Sequence, residues 1–402
     1  MLISLYVNRR RGYSILRRKW QPIKRIELSD SSEEDERLGQ GKGGYYYYDI
    51  DEDNDWADTG KSCISPKRRE YCGMVIKTPN SERFANHIHS RILQRFPFLV
   101  EMFYWALNYL FYACTKAISQ SLSPPDIGVV GRAQENGIWV LMVEQTVPVI
   151  KWFYPIREVD FQTFWLTRYP AMMTFFNRIY SLVHIPGTIA FLSWYYYVAP
   201  NHESFATVRR TMTMGNFAAF ITFCFWPCMP PRLLPESFKF HDTVRQEHAE
   251  SVWVGGKNVN QLAAMPSLHF TYAFSIGCTF LWHSGMIHRL IGDRTLSLRE
   301  RRRRRSRLVW TDFLLVSLAI LYPTLVVSVI VATANHYWMD ATVAMFTTAL
   351  AFLCNRAWNV LLPFEDLLLW AWRLEKPIPT TGDRAIRGRR GGRIEYLYSS
   401  VV

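Results

Sequence analysis

Cysteine is scarce in this chain, with seven residues among 402. Cys63 and Cys72 lie in a polar N-terminal stretch, whereas the other five fall in or beside apolar segments. This distribution does not form the regular framework of a small disulfide-rich protein. We therefore expect most of these cysteines to serve as small apolar side chains.

The first 90 residues lack any sustained apolar periodicity. Met1–Val7 is too short to be the apolar core of a signal peptide, and no cleavage site of small residues follows it. Blocks of charge occupy Arg9–Arg11, Ser29–Glu36 and Asp49–Asp58. We predict that residues 1–90 form a disordered cytosolic tail.

Acidic residues are fewer than basic ones, 34 against 47, which gives a net charge of +13. Such an excess can indicate nucleic-acid binding, but here it is concentrated in the tails and in one connecting loop. A membrane protein uses basic loops to set its orientation, and we therefore predict no nucleic-acid partner. Aromatic residues make up 15% of the chain, and its apolar residues cluster in long runs.

The apolar runs predict six transmembrane helices, since about 20 residues are needed to cross a bilayer. Gly137–Phe153 is also apolar, but Glu144, Pro148 and Lys151 indicate that it lies along the interface instead of crossing. The six predicted spans are Pro97–Ile118, Ala171–Val198, Thr213–Cys228, Ser267–Trp282, Phe313–Thr333 and Tyr337–Leu362.

The predicted fold is an all-α, polytopic membrane bundle with disordered N- and C-terminal tails. Residues 91–169 would hold the first transmembrane helix and a lumenal loop. Residues 170–362 would form the membrane-embedded catalytic domain, and residues 363–402 a basic cytosolic tail.

The loop between the fourth and fifth spans fixes the predicted orientation. It carries nine arginines: Arg289, Arg294, Arg299, Arg301–Arg305 and Arg307. By the positive-inside rule this loop is cytosolic, and with six spans both tails are cytosolic too. The loop from Met229 to Met265 then lies on the lumenal face, where the fourth and sixth spans begin.

Each of these two spans begins with a histidine motif. Met265-Pro266-Ser267-Leu268-His269 opens the fourth, and Ala334–Asp340 contains His336 at the start of the sixth. His336 and Asp340 are four residues apart, so on a helix the carboxylate can reach the imidazole and raise its nucleophilicity. The free N–H groups at the Ser267 helix start suit a phosphate. Together these features favour phosphoryl-transfer chemistry.

Other interpretations of these residues stay open. A histidine at a helix end is often a cap or an interface residue, and the Asp340 pair could be a buried polar contact between transmembrane helices. Two histidines and one aspartate are also a weak zinc signal, because no further cysteine or glutamate ligands accompany them.

The motifs resemble signatures of a known family. Ala264–His269 and Thr333–Asp340 are similar to the second and third signatures of the type 2 phosphatidic acid phosphatase superfamily. Their Pro-Ser-Leu-His and Asn-His-Tyr forms resemble the branch of inositol phosphorylceramide synthases and related lipid phosphotransferases. Pro227–Arg232 resembles the degenerate first signature of that branch, so the resemblance covers roughly residues 170–360.

The resemblance implies a role for each residue of the two histidine motifs. His336 would attack phosphorus and form a phospho-histidine, and Asp340 would orient it and balance its charge. His269 would protonate the leaving alkoxide and then activate the acceptor. No metal or other cofactor is implied.

The chain departs from the phosphatase pattern in its cations. Ile330 occupies the position of an arginine six residues before the nucleophile, and Phe225 that of a first-signature lysine. Arg232 is the best remaining phosphate ligand, although it could instead snorkel to lipid headgroups. Ser267 at the helix start is a further phosphate-binding candidate. Weaker candidates for substrate binding are Lys257, Arg178, His184 and Asn177. His184 and Asn177 could equally bond a neighbouring helix.

The predicted function is lipid phosphotransfer, of the phosphoinositol-to-ceramide type, at the lumenal leaflet of the Golgi or endoplasmic reticulum. Its partners would be a phospholipid donor and a ceramide-like acceptor. One alternative is a lipid phosphate phosphatase, in which water is the acceptor. Another is a non-catalytic scaffold or transporter that keeps the fold.

Overall fold

A computed structural model describes residues 2–11, 13–16, 25–26, 46–47, 66–71, 73–121, 128–243, 261–287 and 310–382. It is mostly helical, with 74% helix and few strands, which agrees with the predicted all-α class. The chain divides into two compact units. The larger one comprises residues 1–9, 96–360 and 379–402, and the smaller one residues 10–95 and 361–378.

The α-helices in the described part of the chain are numbered here in chain order. They are α1 (Leu2–Val7), α2 (Ile88–Arg95), α3 (Phe98–Ser121), α4 (Gly128–Thr146), α5 (Pro148–Phe153), α6 (Glu158–Arg168), α7 (Pro170–Arg178), α8 (His184–Val198), α9 (His202–Phe225), α10 (Leu268–His283), α11 (Trp310–Ala332), α12 (Trp338–Leu353) and α13 (Leu362–Ala371).

Helix α10 is central to the larger unit, because it packs against α9, α11 and α12. Helix α9 also packs against α3 and α12. An aromatic and apolar core lies among α3, α8, α9 and α10, with Tyr196, Phe205 and Met212 almost fully buried. This packing holds the starts of α10 and α12, which carry the two histidine motifs, in contact.

Four of the predicted spans coincide with helices, or with the end of one, to within a few residues, whereas the predicted span Tyr337–Leu362 begins with α12 but extends beyond the end of that helix at Leu353. Among the described residues, however, α11 alone is both long and apolar enough to cross a bilayer. Helix α12 is apolar but shorter. The helical class is therefore confirmed, whereas a bundle of six spans remains a prediction.

The predicted span Ala171–Val198 is interrupted. Helix α7 ends at Arg178, a π-helical turn occupies Ile179–Val183, and α8 then continues through Pro186. Proline has no N–H to donate to the residue four positions earlier, and its ring crowds that carbonyl. The wider turn therefore lies where Pro186 disturbs the helical hydrogen bonds, one turn before the proline itself.

The smaller unit contains structure in segments that the sequence predicted to be tails. The strands β1 (Arg25–Ile26) and β2 (Tyr46–Tyr47) pair antiparallel, and β3 (Lys67–Tyr71) pairs antiparallel with β4 (Met74–Thr78). Helices α2 and α13 belong to this unit too. In their described parts these stretches therefore contain secondary structure, joined by contacts between residues almost 300 positions apart. The tails otherwise stay a prediction.

Candidate active site

The turn between α11 and α12 places His336 directly before α12. The backbone N–H groups of Asn335 and His336 both donate to the Ile330 carbonyl, at 3.0 and 3.1 Å. Ala334 takes a left-handed conformation, with φ of 52°. That conformation costs an alanine about 1 kcal/mol, so the surrounding contacts must hold the turn in place.

The tautomer of the His336 ring follows from its neighbours. Its Nδ1 lies 2.8 Å from the Ala264 carbonyl oxygen and 3.1 Å from Oδ2 of Asp340. A carbonyl oxygen can only accept a hydrogen bond, so Nδ1 must carry the proton. In the neutral ring Nε2 then has a free lone pair, which is the form that a nucleophile requires.

Asp340 joins the two histidine motifs and is fully buried. Its Oδ2 accepts the Tyr337 N–H at 3.0 Å in addition to the His336 contact. Its backbone carbonyl receives the Ser267 N–H at 3.4 Å. The carboxylate therefore caps α12 and orients His336, while the carbonyl links α12 to the start of α10.

His269 faces His336 across this junction. The distance from His269 Nδ1 to His336 Nε2 is 3.4 Å, and the ring centroids are 5.5 Å apart. Tyr180 stacks on the His269 ring with centroids 4.6 Å apart. The predicted meeting of the two imidazoles is thus observed. Tyr180, which shares a helical stripe with Asn177 and His184 in the sequence but was not assigned to the site, is an additional neighbour.

Ser267 is the N-cap of α10. Its hydroxyl accepts the Phe270 N–H at 3.3 Å, and the residue is fully buried. One of the N–H groups expected to meet a phosphate is therefore already satisfied by the cap. Ser267 positions the helix that carries His269.

Arg232 lies beside the turn that carries His336. Its Nη1 is 3.0 and 3.1 Å from the two carboxylate oxygens of Asp242, and its Nε donates to Oδ1 of Asn335 at 2.9 Å. Its backbone N–H donates to the Ala334 carbonyl at 2.9 Å. These contacts fix the guanidinium next to the residue that precedes His336, with a carboxylate on one of its nitrogens.

The segment that carries Asp242 is held by two polar side chains. Gln162 bonds both the N–H and the carbonyl of His241, at 3.0 and 2.8 Å. Oδ1 of Asn177, a fully buried residue, accepts from the Thr243 hydroxyl at 3.1 Å. Of the two alternatives for Asn177, this contact favours the structural one, because its oxygen bonds a neighbouring segment.

Lys257 and the side chain of His184 lie outside the described residues. Arg178 is exposed at the end of α7. These three stay predictions.

Two glutamates that the sequence argument did not assign to the site cap α12. Oε1 of Glu144 accepts the Met339 N–H at 2.6 Å, and Oε1 of Glu158 accepts the Trp338 N–H at 3.3 Å. Both are almost fully buried. Burial and the neighbouring Glu158 carboxyl raise the pKa of Glu144 well above its ordinary value. In the sequence, the one indication that Glu144 has a special role was its position as a charged residue within an apolar segment.

The arrangement can therefore supply a nucleophilic nitrogen, a second imidazole for proton transfer and an adjacent guanidinium. Within the described residues, no three histidine, cysteine, aspartate or glutamate side chains form a group that could hold a metal ion.

Comparison with known proteins gives one match. The family model of the PAP2 superfamily matches residues 156–292. This stretch contains Arg232 and His269 and ends before His336. The match indicates phosphatase- or phosphotransferase-type chemistry on lipid phosphates, and it does not distinguish a branch within the superfamily. Searches of curated proteins and of solved structures gave no significant match.

Proposed function

We propose that this protein is a membrane lipid phosphotransferase. It moves a phospho-headgroup, of the phosphoinositol type, from a phospholipid to a ceramide-like acceptor at the lumenal face of the endoplasmic reticulum or Golgi membrane. The PAP2 superfamily match supports the general chemistry. The Pro-Ser-Leu-His and Asn-His-Tyr forms of the motifs support the transferase type by resemblance.

One observation carries the proposal. His336 Nδ1 is hydrogen-bonded to a backbone carbonyl and to Asp340, so the neutral tautomer has its proton on Nδ1 and its lone pair on Nε2, which lies 3.4 Å from Nδ1 of a second histidine. A histidine with a purely structural role needs no such control of its tautomer. Nucleophilic attack on phosphorus does need it, because only the unprotonated nitrogen carries a lone pair.

In the first displacement, His336 Nε2 attacks the phosphorus of the donor lipid. An N–P bond forms, the bond from phosphorus to the diacylglycerol oxygen breaks, and the electron pair stays on that oxygen. His269 gives the leaving oxygen its proton. The product is a phosphodiester-like phospho-histidine, and diacylglycerol departs with its hydroxyl restored.

In the second displacement, His269 takes a proton from the acceptor hydroxyl. The acceptor oxygen attacks phosphorus, the N–P bond breaks, and its electron pair returns to Nε2 of His336. With ceramide as acceptor the enzyme is a transferase. With phosphatidate as donor and water as acceptor, the same two displacements release inorganic phosphate and the enzyme is a phosphatase. The phosphatase is the second candidate function, because the family match supports both reactions equally.

Substrate binding must first separate the two rings. A reacting nitrogen and phosphorus stand about 3–3.5 Å apart before attack. The whole gap between Nε2 and Nδ1 is 3.4 Å, so a phosphoryl group cannot enter it unchanged. We expect the His269 ring and Tyr180, which stacks on it, to shift together when the lipid binds.

Arg232 is the cation proposed to neutralise the phosphate. Its position beside Asn335 supports this role. Asp242 binds Nη1 and Asn335 binds Nε, so Nη2 is the nitrogen proposed to meet an incoming phosphate oxygen. Ile330 fills the place of the phosphatase arginine and is buried in an apolar cluster.

Exposed apolar side chains support a membrane location. Phe313 and Leu321 on α11, and Phe346, Leu350 and Leu353 on α12, are all more than half exposed. Contiguous apolar surface of this kind is costly in water and favourable in lipid.

The decisive experiment supplies both possible acceptors. Membranes containing the full chain would receive labelled ceramide with phosphatidylinositol, or labelled phosphatidate, beside a His336→Ala control. Labelled inositol phosphorylceramide supports the transferase, and release of phosphate supports the phosphatase. The control should lose at least about 10²-fold in rate. If neither product forms, or if the His336→Ala control gives the same rates, the result would favour a non-catalytic protein.

A further inference from the structure

Helix α13 has one polar residue at the centre of its inner face. Asp366 is almost fully buried. Its carboxylate is 2.8 Å from Arg69 Nη2 and 3.6 Å from Lys67 Nζ, and it accepts from the Thr78 hydroxyl at 2.9 Å. The β3–β4 hairpin therefore covers the polar face of α13 and neutralises its charge.

The opposite face of α13 is apolar and uncovered. Phe364 is 68% exposed, and Leu367, Leu368 and Trp372 are also exposed. Residues spaced by three, four and eight positions lie on the same side of a helix. These four side chains thus form one continuous stripe on the side away from Asp366.

This polarity is the reverse of that in a water-soluble protein. There an amphipathic helix buries its apolar face against the core and turns its charges to water. Here the charged face is buried and paired, and the apolar face points outwards. An exposed stripe of this kind is stable when an apolar environment covers it.

The residues at the end of α13 identify that environment. Trp370 and Trp372 are exposed there, and Arg373 follows on the surface. Lys376 is exposed too, but its ammonium is paired with Glu365 of α13 at 2.8 Å, so Arg373 is the cation offered to lipid. Tryptophan prefers the boundary between headgroups and acyl chains, and basic residues next to it attract anionic lipids. A protein partner would not require this combination.

We propose that α13 lies in the plane of the membrane, with Phe364, Leu367, Leu368 and Trp372 inserted at the headgroup–acyl boundary of an anionic leaflet. The hairpin then covers the helix on its water-facing side. This surface anchor is separate from the candidate active site, and it depends on the proposed function only in requiring a membrane-bound chain.

Photo-crosslinking in the full chain tests the proposal. Phe364 would be replaced by p-benzoyl-phenylalanine, which preserves an aromatic side chain, and the protein placed in vesicles of phosphatidylcholine with or without phosphatidylinositol. The matched control carries the same group at Glu70. Glu70 is exposed in β3, one residue from Arg69, so its side chain points away from α13.

We expect lipid adducts at position 364 to exceed those at position 70 by about fivefold or more, as for a side chain inserted in the acyl region. Adding phosphatidylinositol should raise the yield at position 364, and Arg373→Gln should reduce that increase. Adducts between two chains, adducts within one chain, or equal lipid yields at the two positions would overturn the proposal. The same pattern should persist with His336→Ala, so its failure is distinguishable from failure of the proposed activity.

Discussion

The chemistry of His336 depends on a backbone atom as much as on a side chain. The Ala264 carbonyl, at 2.8 Å, is closer to Nδ1 than the Asp340 carboxylate is, at 3.1 Å. Two acceptors therefore share one N–H. The carbonyl alone can fix the tautomer, whereas only Asp340 can balance the positive charge that the ring would gain in the proposed phospho-histidine.

This division of roles predicts a graded effect of Asp340→Asn. We expect kcat to fall by about 10²-fold, because the balancing charge is lost. His336→Ala should lose more, because the nucleophile itself is gone. KM should change little, since Asp340 is fully buried and does not meet the lipid. Steady-state rates of the two variants in the same membranes provide the measurement.

The opposite ranking would contradict this account. If Asp340→Asn were as inactive as His336→Ala while the protein remained folded, the Ala264 carbonyl would have no independent role. Burst labelling with a radioactive donor separates the cases, because Asp340→Asn should still form the phospho-histidine, only more slowly.

The sequence predicted the site where its residues are close in the chain or belong to a motif. The four-residue spacing predicted the His336–Asp340 contact, and the paired motifs predicted that His269 would lie near. The Ala264 carbonyl has no side-chain signature. The Arg232–Asp242 pair depends on a segment that Gln162 and Asn177 hold from other helices, so no local pattern could indicate it.

The start of α12 is an element with an unusual number of acidic caps. Asp340, Glu158 and Glu144 accept the N–H groups of Tyr337, Trp338 and Met339 in turn. Carboxylates at a helix N-terminus are favoured by the helix dipole. Three carboxyl groups buried this close together would repel one another if all were ionised. Burial and the neighbouring Glu158 carboxyl accordingly raise the pKa of Glu144.

A raised pKa in the folded state predicts the direction of a pH effect. The folded protein holds the Glu144 proton more tightly than the unfolded chain does. The contribution of Glu144 to the free energy of unfolding is therefore fully present below the ordinary glutamate pKa. It falls as pH rises above that value, by up to about 1.4 kcal/mol per pH unit. Glu144→Gln keeps an acceptor for Met339 without the charge. Thermal unfolding between pH 5 and 8 should then show a weaker decline than in the native chain.

Glu144→Ala is the matched comparison, since it removes both the charge and the acceptor. It should lower stability at every pH, because the Met339 N–H is left unpaired. A Gln variant with the same pH slope as the native chain would show that Glu144 is ionised in the folded protein.

Close helix contacts give a second prediction for the elements around the site. A Cβ at Gly137 in α4 would lie 2.7 Å from the Tyr337 hydroxyl, and a Cβ at Gly277 in α10 would lie 2.7 Å from Pro323 Cγ. Gly137→Ala and Gly277→Ala should each cost about 1–3 kcal/mol of stability. Only Gly137→Ala should also reduce the rate per folded molecule, because Tyr337 adjoins His336. Equal rates in the two variants would mean that Tyr337 does not position the nucleophile.

The arrangement of the chain as a whole was predictable only in part. Apolar runs predicted where the long helices lie, because burial and helix periodicity both act locally. They did not predict the smaller unit. Its order depends on ion pairs such as Arg69–Asp366, which join residues from opposite ends of the sequence and have no periodic pattern. The charge-rich N-terminal segment was therefore predicted to be a tail, although part of it folds.

Orientation in the membrane is the prediction on which access to lumenal lipids depends. The native sequence contains no Asn-x-Ser/Thr triplet, so an introduced glycosylation tag reports its own location without background. A tag within residues 244–260, in the loop between α9 and α10, should be glycosylated in microsomes and lose its glycan with endoglycosidase. A tag at Arg301–Arg305 should stay unmodified, because the nine arginines of that loop predict a cytosolic location. Both tags leave the residues that contact His336 unchanged, so activity can confirm that each variant is folded. The reverse pattern would place His269 and His336 on the cytosolic face, and the donor and acceptor lipids would then have to be those of the cytosolic leaflet.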